Sequence, residues 1–271
     1  METISALDDI PVVDLSNPNE DLVARAVVKA SEEWGIFHVV NHWIPPELIG
    51  QLKEVGTEFF QLPESEKKAL ASEAKRLQEH GRIWPPSRVN HRFWPNNFQD
   101  YREVNEEYAK EIKKLSEKIL GWLSEGLGLR REALKEGRLL SAVSRSRCEV
   151  RTPRHTDLSG ITFLIANQVY GLQAFKDNNW FEVKYDDSRI VVIIGDQVHR
   201  MNNGKYKRAE HRATLDKEKT RISWPVFVDP NLDHVVRPLP ELISGDDNAP
   251  KFKPYTYRDY KFHIWNRLPL D

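Results

Sequence analysis

Between residues 161 and 228, six short segments rich in β-branched and aromatic residues follow one another with little but turn chemistry between them. They read ITFLIA (161–166), LQAFK (172–176), WFEVK (180–184), RIVVIIG (189–195), AEHRATL (209–215) and RISWPVFV (221–228). Residues such as Val, Ile, Phe and Trp suit a pleated surface packed on a core, and runs of this length are typical of strands. Asn178–Asn179 and Asn202–Asn203–Gly204 supply turn residues between them. Six strands at this spacing predict an all-β sandwich or barrel.

The N-terminal half has a different texture. Ile10–Ser16 reads as a short opening strand, and residues 19–34 place Leu22, Val23, Ala26, Val27 and Ala30 at helical spacing. Gly35 ends that helix, and IFHVVN (36–41) reads as a buried strand. Pro45 and Pro46 open a second helix to about Phe60, and Pro63 opens a short charged one through Ala71. From about Asp100 to Leu127, Tyr101, Val104, Tyr108, Ile112, Leu115, Ile119 and Trp122 fall on one side of a long amphipathic helix. Its Glu/Lys pairs read as a solvated face. Residues 255–266 read as a closing helix or an aromatic-rich tail. The expected architecture is mainly β with N-terminal helices: a helical region with edge strands over residues 1–136, and a β core over 137–271, integrated into one globular unit.

Composition narrows the function classes. Forty Lys+Arg against 41 Asp+Glu leave a formal charge of -1, which gives no electrostatic footprint for nucleic acid. The single cysteine, Cys148, excludes an intramolecular disulfide and fits a reducing compartment. No apolar run approaches the ~20 residues of a membrane span, and the acidic start METISALDDIPVVDLS lacks the pattern of a signal peptide. A cytoplasmic protein is the expectation.

The chemistry concentrates around His155–Thr156–Asp157. In extended backbone, residues i and i+2 point the same way, so His155 and Asp157 can converge on one ion, with His211 as the third ligand. Two histidines and one carboxylate are the facial triad of non-haem Fe(II) oxygenases, which leaves coordination positions open. Ten residues after His211 come Arg221 and Ser223, again i and i+2. A guanidinium with a neighbouring hydroxyl suits the distal carboxylate of 2-oxoglutarate. The remaining histidines take plainer readings: His38 and His42 as core or loop residues, His199 as a turn residue, and His234 and His263 as surface or packing groups.

The stretches IPVVDLS, EEWGIFHVVNH, RIWPPS, HTDLSGITFL, GLQAFKDNNW, GDQ, EHR, DKEKTRISWPVFVDP, RPLPEL and KFKPYTYRDYK resemble the plant flavonol synthases, members of the 2-oxoglutarate/Fe(II)-dependent dioxygenase family. The resemblance covers most of the chain and implies a double-stranded β-helix (jelly-roll) core. It implies oxidation of a dihydroflavonol to a flavonol, with 2-oxoglutarate and O2 giving succinate and CO2, and ascorbate as reductant. His155, Asp157 and His211 then take the iron roles, Arg221 and Ser223 the 2-oxoglutarate roles, and Phe227 and Asp229 the flavonoid-contacting roles.

Three places depart from that pattern. Before HTD the family has a strand that supplies a tyrosine and an asparagine to the co-substrate site and a lysine near the flavonoid. Here GRLLSAVSRSRCEVRTPR (137–154) contains none of the three, is shorter, and reads as a loop. Between Ala71 and Arg82 a segment walling the substrate pocket is also short, and His80 does not match the family's pocket histidine. Trp43 replaces a glycine, and a positive φ there would cost about 1–2 kcal/mol. Two alternatives to an active flavonol synthase therefore stay open: a catalytically inactive homologue, and a related dioxygenase with a different small-molecule substrate.

Overall fold

The computed structural model describes residues 10–63, 65–66, 99–136, 139–144, 147–148, 152–216, 218–243 and 248–270. The expected short helix after Pro63, the RIWPPS stretch and His80 lie wholly or largely outside these residues.

Strand β1 (Val12–Asp14) leads to helix α1 (Glu20–Glu33), whose N-cap Asn19 accepts the amide of Leu22 through its side chain. That satisfies one of the amides a helix start leaves unpaired. Gly35 ends α1 at φ +70, and a Cβ there would come within 2.3 Å of the Lys207 carbonyl oxygen, so no other residue fits this turn without displacement. Strand β2 (Ile36–Val40) and helix α2 (Pro46–Gln61) follow, then the long helix α3 (Gln99–Gly126) and the short α4 (Ala133–Glu136). Trp122 on α3 donates its indole N–H to Glu20 Oε1 at 2.8 Å, which ties α3 to the first turn of α1.

The β region comprises β3 (Leu139–Ser144), β4 (Arg147–Cys148), β5 (Thr152–His155), β6 (Ile161–Ala166), β7 (Leu172–Lys176), β8 (Asn179–Glu182) and β9 (Ile190–Ile194). After helix α5 (Asp196–Met201) come β10 (Glu210–Ala213), β11 (Ile222–Pro230), β12 (Val235–Val236), β13 (Tyr255–Thr256) and helix α6 (Tyr257–Trp265). A seven-stranded sheet runs β1-β2-β9-β6-β11-β3, with β4 also on β11; a four-stranded sheet runs β5-β10-β7-β8. Two sheets of this order, with strands passing between them, make the jelly roll.

Strand parity decides what each face of the large sheet does. Ile222, Trp224, Val226 and Val228 of β11, with Ile161, Phe163 and Ile165 of β6, join one apolar cluster with Val27, Leu52, Ile112 and Ile119 of the helices. Leu164 of β6 and Val191 and Ile193 of β9, on the opposite parity, pack with Leu172, Ala174 and Phe181 of the small sheet in a second cluster. Each fully buried aliphatic side chain contributes about 1.5–3 kcal/mol, so the helices hold the large sheet by its outer face. Its inner face is left for the site.

Two expectations need correction. The described residues within 137–154 form strands rather than a loop: β3 pairs antiparallel with β11 from Val226↔Ser144 to Pro230↔Leu139, and β4 continues the edge at Ile222↔Cys148. The alternation Leu139, Ser141, Val143 against Leu140, Ala142, Ser144 is weakly patterned, and the backbone pairing offered by β11 outweighs it. His199 sits in α5 rather than in a turn; the helix is only six residues long and carries little apolar periodicity. Trp43 does adopt φ 61, with its ring 3.7 Å from Lys118 Nζ. The turn asparagines behave as their chemistry suggests, with positive φ at Asn178 and Asn203.

Candidate metal centre and co-substrate site

Strand β5 ends at His155, and its ladder with β10 sets His155 directly opposite His211. Facing positions in an antiparallel pair share one side of the sheet, so the rings lie together, 4.2 Å between centroids. Asp157, two residues beyond the strand, brings Oδ1 to 3.8 Å from His155 Nε2 and 3.6 Å from His211 Nε2. The three donor atoms lie within 4.8 Å of one another, somewhat wider than two metal–ligand bonds of about 2 Å can span, so the side chains close by small rotations when they share an ion.

The rings are also set in the right tautomer. His155 Nδ1 lies 2.8 Å from the Pro153 carbonyl oxygen, and His211 Nδ1 lies 3.0 Å from that of Ala209. A carbonyl oxygen only accepts, so each Nδ1 carries a proton and Nε2 is the nitrogen left to face the centre, the one available as a metal ligand. Asp157 and His211 are buried, whereas the His155 side chain is 35% exposed, so the centre opens on one side.

Asp157 is held by residues that the sequence analysis did not assign to the site. Thr162 Oγ1 donates to Asp157 Oδ2 at 2.6 Å, which turns Oδ1 toward the histidines, and Ser159 Oγ sits 3.0 Å from Thr162 Oγ1. The start of α5 grips the same loop: the Asp196 amide donates to the Asp157 carbonyl, the Gln197 amide to that of Ser159, and Gln197 Nε2 to that of Leu158. The available signals were a polar threonine inside the apolar run ITFLIA, and the GDQ motif itself.

Arg221 stands just before β11, and Ser223 within it. The guanidinium Nη1 lies 3.5 Å from Ser223 Oγ, Nη2 donates to the Tyr185 hydroxyl at 3.0 Å, and Nε is buried with no partner among the described residues. The stem lies against Gly171, where an added Cβ would come within 3.2 Å of Arg221 Cδ. Tyr185 was not singled out from the sequence; it follows the third of the six segments with nothing nearby to mark it. Phe227 and Asp229 share the parity of Ser223, and Phe227 faces Thr162 across the β6–β11 ladder. Phe227 is half-buried and Asp229 buried. The inner face of β11 thus carries the guanidinium slot at one end, while Phe227 adjoins the Thr162–Asp157 pair.

The other histidines serve elsewhere. His38 and His42 are buried, and His199 Nδ1 is 2.6 Å from the Tyr206 carbonyl. Burial pushes the imidazoles of His42 and His199 below the usual histidine range.

Two family models match the chain. The one described as the 2OG-Fe(II) oxygenase superfamily covers residues 138–230, and the one described as the non-haem dioxygenase in morphine synthesis N-terminal covers residues 10–119. The chain is 59% identical to flavonol synthase 3 of Arabidopsis thaliana over 301 aligned positions, which cover 99% of this chain and 97% of that protein. That alignment is longer than the 271 residues of the chain, so the relative holds residues with no counterpart here. A flavonol synthase/flavanone 3-hydroxylase of the same plant is 52% identical, covering 97% of this chain and 88% of its own length. Among solved structures, JOX2 in complex with 2OG, Fe and JA superposes with a TM-score of 0.86 at 29% identity, over 97% of this chain and 86% of that one. No helix among the described residues is long and apolar enough to cross a membrane.

Proposed function

We propose that this chain, which belongs to the 2-oxoglutarate/Fe(II)-dependent dioxygenases and within them to the flavonol synthases, oxidises a dihydroflavonol to a flavonol. One observation carries the reading: two histidines, each anchored through Nδ1 to a backbone carbonyl and turning Nε2 to the centre, face one oxygen of a buried carboxylate. That donor set fits Fe(II), with coordination positions left for other ligands. His155, Asp157 and His211 would hold the metal, which when bound supplies the redox chemistry that couples conversion of 2-oxoglutarate to succinate and CO2 with substrate oxidation.

The chain's own residues do the rest. The β5–β10 register fixes both imidazoles on one side, and Thr162 occupies the carboxylate oxygen of Asp157 that points away from them. Arg221 offers a buried N–H with no partner among the described residues, so an anion meeting it gains a charge-assisted hydrogen bond without breaking one. Ser223 adds a hydroxyl beside it. Phe227, half-buried on the same face and opposite Thr162, offers a ring for the flavonoid, and Asp229 offers a carboxylate two residues on. Ascorbate as reductant and a cytoplasmic location belong to the same proposal.

A second reading draws on a specific observation. Residues 137–154 contain no Tyr, Asn or Lys, so that segment contributes none of those groups to a pocket. This favours a homologue with a different small-molecule substrate, or one without turnover. The pairing of β3 and β4 with β11 supports the active reading, because the strand carrying Ser223, Phe227 and Asp229 has its backbone ladder on both sides. The test is an anaerobic addition of Fe(II) and 2-oxoglutarate to the purified chain. A visible charge-transfer band that is absent from His155→Ala supports the reading; a folded protein with no band overturns it.

A further inference from the structure

We infer that Tyr185 is a co-substrate-positioning residue: its phenol forms one wall of the Arg221 slot and donates a hydrogen bond to the distal carboxylate of a bound 2-oxo diacid. The inference rests on the 2-oxoglutarate reading above and names a residue beyond the Arg221–Ser223 pair. Tyr185 lies after β8, in the connection to β9, and is only 8% exposed. Its hydroxyl oxygen accepts from Arg221 Nη2 at 3.0 Å. A phenol that accepts in this way still has its own hydrogen to donate, and no described residue is bonded to receive it. A buried hydroxyl that donates to nothing is an uncommon loss, which an acceptor in the slot would recover.

Neighbouring charges make that acceptor an anion. Arg221 Nε is likewise buried with no partner among the described residues, so two donors on adjacent side chains lack acceptors. The nearby acid, Glu182, is already engaged: Oε1 accepts the Gly171 amide at 2.7 Å and Oε2 accepts from Gln173 Nε2 at 3.0 Å. It therefore buttresses the Gly171 side of the slot and makes no ion pair with the guanidinium among the described residues. Burial raises the Tyr185 phenol above its ordinary range, so it stays protonated and remains a donor at neutral pH. The side chain also packs with Ala166, Leu172 and Val183 in the inner apolar cluster, which fixes its direction. The segment at 137–154 contains no tyrosine, and Tyr185 supplies a phenol from the connection between β8 and β9.

The experiment is an anaerobic titration of the Fe(II)-loaded full chain, followed through the visible band of the chelate, with 2-oxoglutarate and separately with pyruvate. Pyruvate has the 2-oxo acid head and no distal carboxylate. In Tyr185→Phe the 2-oxoglutarate dissociation constant is expected to rise about 10-fold or more, as for loss of a hydrogen bond to a charged group, with pyruvate binding unchanged. Equal weakening of both ligands would make Tyr185 a structural residue only, and unchanged 2-oxoglutarate binding would remove it from the site; either result overturns the inference while leaving the dioxygenase reading in place. A wild-type chain that gives a band with neither ligand overturns the dioxygenase reading itself, and the inference with it. Circular dichroism of Tyr185→Phe establishes that the variant compared is folded.

Discussion

Replacing Thr162 by valine tests how the carboxylate of the triad is aimed. The two side chains are nearly the same size, and Thr162 is 1% exposed, so the packing of β6 is retained and only the hydroxyl is lost. That hydroxyl donates to Asp157 Oδ2 at 2.6 Å and lies 3.0 Å from Ser159 Oγ. A hydrogen bond to a charged acceptor contributes about 1.5–3 kcal/mol, and partners of this kind behind a metal ligand typically change metal affinity about 10–100-fold. Thr162→Val is therefore expected to weaken Fe(II) binding by about that factor, measured anaerobically by competition with a coloured chelator. Thr162→Ser, which keeps the hydroxyl, is expected to recover most of the loss. A valine variant that binds Fe(II) as tightly as wild type would refute the idea that Thr162 orients Asp157; so would a serine variant as weak as valine, because packing and not the hydroxyl would then be responsible.

Other substitutions probe separate links. Arg221→Lys keeps the charge but loses the forked donor geometry, and is expected to weaken 2-oxoglutarate binding about 10-fold or more while Fe(II) affinity holds; equal binding in the same titration would argue against the slot. Trp43→Gly relieves a φ of 61 at the expense of the Lys118 contact, and a net gain of up to about 1 kcal/mol is expected as a higher thermal midpoint. A lowered midpoint would show that the ring contact outweighs the strain. His42 accepts the Ile44 amide through Nδ1 at 3.3 Å and is held neutral by burial, so its folded-state pKa lies below the unfolded one. The unfolded state then binds more protons as pH drops below about 6.5, and stability is expected to fall with it through the folded pKa. His42→Asn, whose amide oxygen can accept from Ile44, should flatten that slope in denaturant midpoints between about pH 7.5 and 5.5; an unchanged slope would assign the acid sensitivity elsewhere.

Most of the fold was legible because its elements carry strong local patterns. Residues 161–166 and 172–176 are strands at the boundaries their apolar runs imply, and α3 buries Val104, Tyr108, Ile112, Leu115, Ile119 and Trp122 at the expected spacing. The convergence of His155 and Asp157 followed from residue spacing, and their meeting with His211 needed only one further strand. What escaped notice depends on long-range pairing. Strand β3 has little pattern of its own and exists through β11, more than 80 residues away in sequence. Likewise, the roles of Gln197 and Tyr185 arise from contacts across 39 and 36 residues; GDQ hints at the first, as the polar threonine inside ITFLIA hints at Thr162, and nothing in VKY marks the second.

The central claim is turnover of a dihydroflavonol at the His155–Asp157–His211 centre. Its most direct measurement is the paired quantification of flavonol and succinate formed from a dihydroflavonol, 2-oxoglutarate, O2, Fe(II) and ascorbate by wild type and by Asp157→Ala. Both products are expected in equal amounts from wild type and neither from the variant. Succinate without flavonol would contradict the substrate, and the absence of both products from an iron-loaded wild type would contradict the activity.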